Sequence, residues 1–219
     1  MLGAYSHAFS CWVEEIDVAT IVTYYQDVAE GKTPSVTLEF ANLTDNTAGT
    51  LQVYTNATFE PFEFRDDDDK IVGVDMYIME LVAEELNMKV QFNDMDFDGI
   101  VGKVAMEDNA IGAAGMTVLP ERLEKVDFSN TYFSTVQSII STESEKFDAL
   151  EDLKGKKIGV QKGTTGWLLI DEAIESGVLK GTGAEVITYD NGPLAYAALK
   201  AGKCDVVVID ELPANKLVK

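Results

Sequence analysis

The sequence predicts an α/β protein built as two lobes joined by a hinge. From Leu51 onward, strand-like runs alternate with helical patterns, and two such series flank the extended stretch STVQSIIST. The strands are almost continuously apolar, as in parallel sheets covered on both faces. On this reading residues 51–137 form lobe one, 138–219 form lobe two, the hinge lies near 135–142, and residues 1–50 are unassigned.

Within residues 1–50, WVEEIDVATIVTYYQDVAEG can form a helix and PSVTLEF a strand before the NLTDNTAG turn. LQVYTN then reads as a strand, with PFEF and KIVGV as a pair flanking Asp66–Asp69. DMYIMELVAEELN carries Ile78, Met79, Leu81, Val82 and Leu86 at helical spacing. KVQFN follows as a strand, DGIVGKVAME as a helix, AIGAAG as a short buried strand and VQSIIS as an extended run. The second series runs KKIGVQ strand, GWLLIDEAIES helix, EVITYD strand, GPLAYAALKAG helix and CDVVVID strand. The triplets NLT and NAT match glycosylation sequons, a pattern common by chance.

A formal charge of −21 over 219 residues repels nucleic acid and anionic membranes, which excludes nucleic acid as a partner. No apolar run approaches the ~18 residues of a membrane span. The opening MLGAYSHAFSCWVEE lacks the basic and apolar regions of a signal peptide. Its AFSC is similar to a lipoprotein cleavage box ending at Cys11, without the segments that precede such a box. Cys204 reads as a small core residue, and two distant cysteines make neither a disulfide framework nor a metal cluster. His7 is the single histidine, which excludes histidine triads and multi-histidine zinc sites. No metal or cofactor is expected.

Loops that follow the strands of open α/β sheets are where ligands bind. Here they carry Phe59, Asp96 with Phe97, Met116 and Thr117 followed by Arg122, the KGTTG segment, and Asp210. Arg122, one of two arginines, can grip a carboxylate through two parallel hydrogen bonds or pair with Glu121 or Glu124. KGTTG offers N–H groups and hydroxyls to an anion, or supplies a helix N-cap at Thr164 or Thr165. Asp210 can meet an ammonium or cap the helix beginning at Glu211. Phe59 and Phe97 can face a ligand or belong to the core.

Taken in order, ATFEPFEF…KIVGVD, MDFDGIVGKV, GAAGMTVLPERLEKVDFSNTYF, LKGKKIGVQKGTTG and AGKCDVVVIDE resemble the amino-acid-binding solute-binding proteins of bacterial ABC transporters. The resemblance runs from about Leu51 to Lys219 and is most specific in GMTVLPERLEKVDFS. It implies the two-lobed periplasmic-binding-protein type II fold. It also implies a monomer outside the cytoplasm, associated with the cell-surface membrane, that delivers a free amino acid to a permease and is not an enzyme. Arg122, the backbone and hydroxyl of Thr165 and the amide of Thr117 are implied to hold the ligand carboxylate. The Thr117 hydroxyl, the Gly115 carbonyl and Asp210 are implied to hold its ammonium, and Phe59 and Phe97 to line the side-chain pocket.

Members that bind basic amino acids carry an acidic residue near the position of Asn56, so the expected ligand is an uncharged polar amino acid such as glutamine. Gln161 stands where a polar residue can reach the ligand side chain. The family continues with a strand returning to lobe one and a C-terminal helix, whereas this sequence stops at PANKLVK, so an incomplete C-terminus is expected. Alternatives are a solute-binding-fold enzyme such as a cyclohexadienyl dehydratase, with Glu60 or Asp96 as acid, or the sensing module of a receptor. Asp66–Asp69 reads as a solvated hairpin turn, because the run lacks the spacing of a calcium loop.

Overall fold

The structure, a computed structural model, describes residues 17–38, 49–142 and 146–219. His7, Cys11 with its AFSC box, the NLT triplet and the first part of the expected N-terminal helix lie outside the described residues. The chain divides into two compact units. The first runs through Met95 and resumes over Ile100–Ser134; the second comprises Asp96–Gly99 and Thr135–Lys219.

In the first unit, helix α1 (Val18–Ala29) is capped by Asp17, which accepts hydrogen bonds from the Thr20 amide and hydroxyl. Its buried face is Ile21, Val22 and Tyr25, and the Tyr25 ring meets Phe64 edge-on at 6.4 Å. The expected strand over PSVTLEF is not formed at residues 34–38; residues 39–40 lie outside the described residues. Pro34 has no N–H to donate, and the Ser35 amide and hydroxyl both bond to Asp27 at 2.7 Å, which ties the segment to α1.

A parallel sheet is ordered β5–β1–β6, with β1 at Thr50–Thr55, β5 at Lys89–Asp94 and β6 at Ala110–Gly112. A small antiparallel sheet joins β2 (Thr58–Phe59), β3 (Glu63–Arg65) and β4 (Ile71–Val72). Helix α2 (Val74–Glu85) starts after Gly73, whose φ of 135° and 2.2 Å from a would-be Cβ to the Phe62 carbonyl oxygen leave no room for a side chain. After a 3₁₀ turn at Phe97–Gly99 comes the short α3 (Ile100–Val104), and α4 is four residues, Pro120–Leu123.

The β3–β4 hairpin turns on the aspartates. The Asp66 carboxylate accepts from the amides of Asp68 and Lys70, and Asp69 takes a left-handed φ of 61°. Aspartate serves both needs, because its short side chain bonds nearby N–H groups and tolerates positive φ.

In the second unit the sheet order is β7–β10–β8–β9, with β7 at Gln137–Ser141, β8 at Lys157–Gln161, β9 at Glu185–Tyr189 and β10 at Val206–Asp210. Strands β8, β9 and β10 are parallel; β7 departs from the expected all-parallel pattern and pairs antiparallel with β10. An antiparallel edge on an otherwise parallel sheet is a common arrangement. Helices α5 (Thr165–Glu175), α6 (Gly192–Lys200) and α7 (Glu211–Leu217) follow the three parallel strands. Leu153, Ile158, Val160, Ile170, Leu179, Val206 and Val208 form the core. Cys204 is buried, as its apolar surroundings predict.

Candidate functional site

The eight expected ligand residues divide evenly, with Phe59, Gly115, Thr117 and Arg122 in the first unit and Phe97, Gln161, Thr165 and Asp210 in the second. Phe97, although numbered within residues 51–137, belongs to the second unit. There Asp98 forms an ion pair with Lys162, and a Cβ on Gly163 would stand 2.8 Å from that of Asp98.

In the first unit the loop after β6 brings its residues to the β2 end of the small sheet. Gly115 adopts a left-handed φ of 54°, and a Cβ there would meet the Phe59 ring at 3.0 Å. Its amide donates to Asp75 Oδ2 at 2.8 Å, while the Tyr132 hydroxyl donates to Asp75 Oδ1 at 2.8 Å. Phe59 is half-buried, and its ring lies 5.8 Å from that of Phe62, which in turn meets Phe133.

Arg122 is only 8% exposed, yet it sits on a four-residue helix. Its Nη1 donates to the Thr117 carbonyl at 2.7 Å, which fixes the guanidinium against the loop. Burial pulls its pKa below the ordinary value, and the Glu121 charge works against that. An arginine keeps its charge through such a shift, so a cation is retained in a largely desolvated place. Asn56, buried and preceding the first aromatic, donates to the Met95 carbonyl and accepts from the Thr58 hydroxyl. The NAT triplet is therefore not presented as an exposed glycosylation site.

In the second unit Thr164 is the N-cap of α5, accepting from the Trp167 amide, which leaves Thr165 at the first helical position. The Thr165 hydroxyl accepts from Gln137 Nε2 at 3.3 Å. Asp210 precedes α7 but makes no side-chain cap, and Gln137 stands directly opposite it on β7. Burial raises the Asp210 pKa and the nearby Gln137 carboxamide works against that, with burial the larger effect. Gln161 is 6% exposed and donates to the Asp190 carbonyl at 3.1 Å.

Two residues were missed by sequence reasoning. Gln137, read as one more residue of an extended run, bonds the Thr165 hydroxyl and sits directly opposite Asp210, where antiparallel β7 sets it. Its signal is a carboxamide at the head of an apolar strand. Asp75, read as helix, is a buried carboxylate under the Gly115 turn.

Residues 51–188 match the family described as bacterial extracellular solute-binding proteins, family 3. The L-cystine-binding protein TcyJ of Escherichia coli (strain K12) is 32% identical over 173 residues, covering 78% of this chain and 62% of that protein. The chain thus spans less than two thirds of that relative's length. Among solved structures, an ancestral arginine-binding protein bound to arginine is 41% identical with a TM-score of 0.72, covering 78% of this chain and 74% of that one. An ancestral arginine-binding protein bound to glutamine is 39% identical with a TM-score of 0.71 over the same shares. With the α/β fold shared and the family match extending over residues 51–188, the chain belongs to the bacterial extracellular solute-binding proteins, family 3.

Proposed function

We propose that the protein binds a free, uncharged polar amino acid outside the cytoplasm and passes it to an ABC transporter permease. It does so as a monomer held at the membrane surface. The observation that carries this reading is Arg122, a buried cation anchored to the Thr117 carbonyl in a loop whose Gly115 and Thr117 are exposed. A zwitterion needs a cationic and an anionic partner, each desolvated and hydrogen-bonded.

The first unit supplies Arg122 and the Thr117 amide for the carboxylate, and Gly115 and Thr117 for the ammonium. The second supplies Thr165 for the carboxylate and Asp210 for the ammonium. Phe59, Phe97 and Gln161 meet the ligand side chain. At the position ahead of Phe59, Asn56 offers a carboxamide already engaged with Met95 and Thr58, which favours an uncharged ligand over arginine or lysine.

A thermal-shift screen against the twenty amino acids, followed by calorimetry, tests the reading. Stabilisation by glutamine or a similar side chain is expected. Binding of arginine or lysine alone overturns the ligand class, and stabilisation by none overturns amino-acid binding. Turnover of prephenate or arogenate would replace transport by catalysis.

A further inference from the structure

We infer that Asp75 is a positioning residue that clamps the Gly115 turn, its two carboxylate oxygens taking hydrogen bonds from the Gly115 amide and the Tyr132 hydroxyl. Both bonds are 2.8 Å, and they join three segments distant in sequence: the first turn of α2, the loop after β6 and the stretch before β7. Asp75 is 1% exposed, and no cation acts on it among the described residues. A buried charge without a counter-ion is costly to keep, and a carboxamide or apolar residue would fill the same volume.

What the charge does here is hold a backbone N–H. Gly115 is in the left-handed region, against the Phe59 ring, and its carbonyl is one of the groups proposed to meet the ligand ammonium. A charge-assisted bond on the N–H of Gly115 fixes the turn of which that carbonyl is part. The first turn of α2 adds a favourable helix dipole for a carboxylate.

The surroundings identify which groups respond to pH. Glu63 on β3 is buried, with Oε1 3.8 Å from where a Cβ on Gly115 would stand. The Tyr132 phenol is pushed well above its ordinary range by burial and by Asp75, so it stays a neutral donor. Of the other charged groups on elements packed against α2, Arg65 and Asp94 pair with each other, Asp27 bonds Ser35 and Lys89 is exposed. Glu80, on α2 itself, is raised by burial and opposed by Lys70. Burial pushes the Asp75 carboxyl up to about 6, with the Gly115 and Tyr132 bonds opposing it. As pH falls through that value the carboxyl takes a proton, the charge-assisted bonds become neutral ones, and the turn is held less firmly.

The clamp stands on its own geometry; its effect on ligand rests on the proposed function. NMR of the free protein follows the Gly115 amide between about pH 5 and about pH 7.5 in wild type, Asp75→Asn and Tyr132→Phe. A midpoint near 6 in wild type, absent in Asp75→Asn and displaced in Tyr132→Phe, is expected. A Gly115 amide indifferent to pH, or titrating equally in Asp75→Asn, overturns the clamp.

Calorimetry with glutamine over the same range reads the consequence. Both proteins keep whatever acid limb Asp210 imposes, and over this range affinity should fall about tenfold further toward acid in wild type than in Asp75→Asn, the difference between a charged and a neutral acceptor. Identical pH profiles in the two proteins overturn the positioning role. A titrating Gly115 with no binding of any amino acid overturns the binding reading and leaves the clamp supported.

Discussion

Arg122 and Thr117 are tied by a 2.7 Å hydrogen bond from the guanidinium to the backbone carbonyl, so the cation and the loop proposed to meet the ligand move together. One face of the guanidinium fork is thereby oriented. Lysine keeps the charge but has no planar fork, so Arg122→Lys should weaken amino-acid binding about 100-fold, and Arg122→Ala at least as much. Calorimetry on variants whose melting temperatures stay close to wild type checks this. Losses below about tenfold in both would remove Arg122 from the carboxylate site.

Asp75 makes a second prediction, for stability. Its carboxyl rises from 3.8 to about 6 on folding, so the folded state binds the proton more tightly than the unfolded chain does. Its contribution is therefore fully present below the unfolded value and lost as pH rises through about 6. For a fully buried group a shift of that size corresponds to about 3 kcal/mol. Urea unfolding should show wild type gaining about 2 kcal/mol of that on Asp75→Asn between about pH 7.5 and about pH 4.5, the rest following only below the unfolded value. The −21 background charge is nearly common to both proteins and largely cancels in the comparison. A gap that does not change with pH would mean that Asp75 does not titrate on folding.

These two residues differ in how legible they were. Arg122 stood out as one of two arginines after a predicted strand, and local chemistry sufficed to nominate it. The alternating strands and helices from Leu51 onward and the aspartate turn were equally readable, because each follows from period or from bonds within four residues. Asp75 was not, because its partners lie 40 and 57 positions away and its own neighbours spell an ordinary helix. Gln137 was hidden by strand direction: only antiparallel pairing of β7 sets it opposite Asp210. At α5 the sequence left Thr164 and Thr165 open as caps. The fold gives the cap to Thr164, leaving the Thr165 hydroxyl to Gln137.

Gln137 can be tested through Asp210. Burial raises the Asp210 carboxyl and Gln137 is the side chain that opposes it. Gln137→Leu removes that opposition, so the carboxyl rises further and Asp210 loses its charge at a higher pH. Because the charged form is the one proposed to hold the ligand ammonium, affinity should begin to fall at a higher pH in Gln137→Leu than in wild type. Near neutral pH binding should also weaken several-fold, since Thr165 loses a partner as well. A variant with unchanged affinity and an unchanged acid limb would detach Gln137 from the site.

The sequence Asp66–Lys70 followed by Ile71 is a recognition sequence for enteropeptidase, and the structure makes its cleavage a test of the hairpin. The Lys70 amide bonds Asp66 Oδ1 at 2.9 Å and the Lys70 carbonyl accepts from the Asp66 amide at 3.0 Å, so the segment is curled rather than extended. Residues 67–70 are nonetheless exposed, and the turn packs little apolar surface that would resist opening. Cleavage after Lys70 should occur in the native protein, more slowly than in urea-unfolded chain. The nick should not release a fragment. Strand β1, before it, pairs with β5, after it, along Thr50–Thr55 and Lys89–Asp94, and the Val74 and Asp75 amides bond the carbonyls of Pro61 and Phe62 across the cut. Two bands on a denaturing gel with a single peak in gel filtration are expected. Complete resistance of the native protein would show the turn to be shielded, and separation of the fragments would show that the parallel sheet does not hold the unit together.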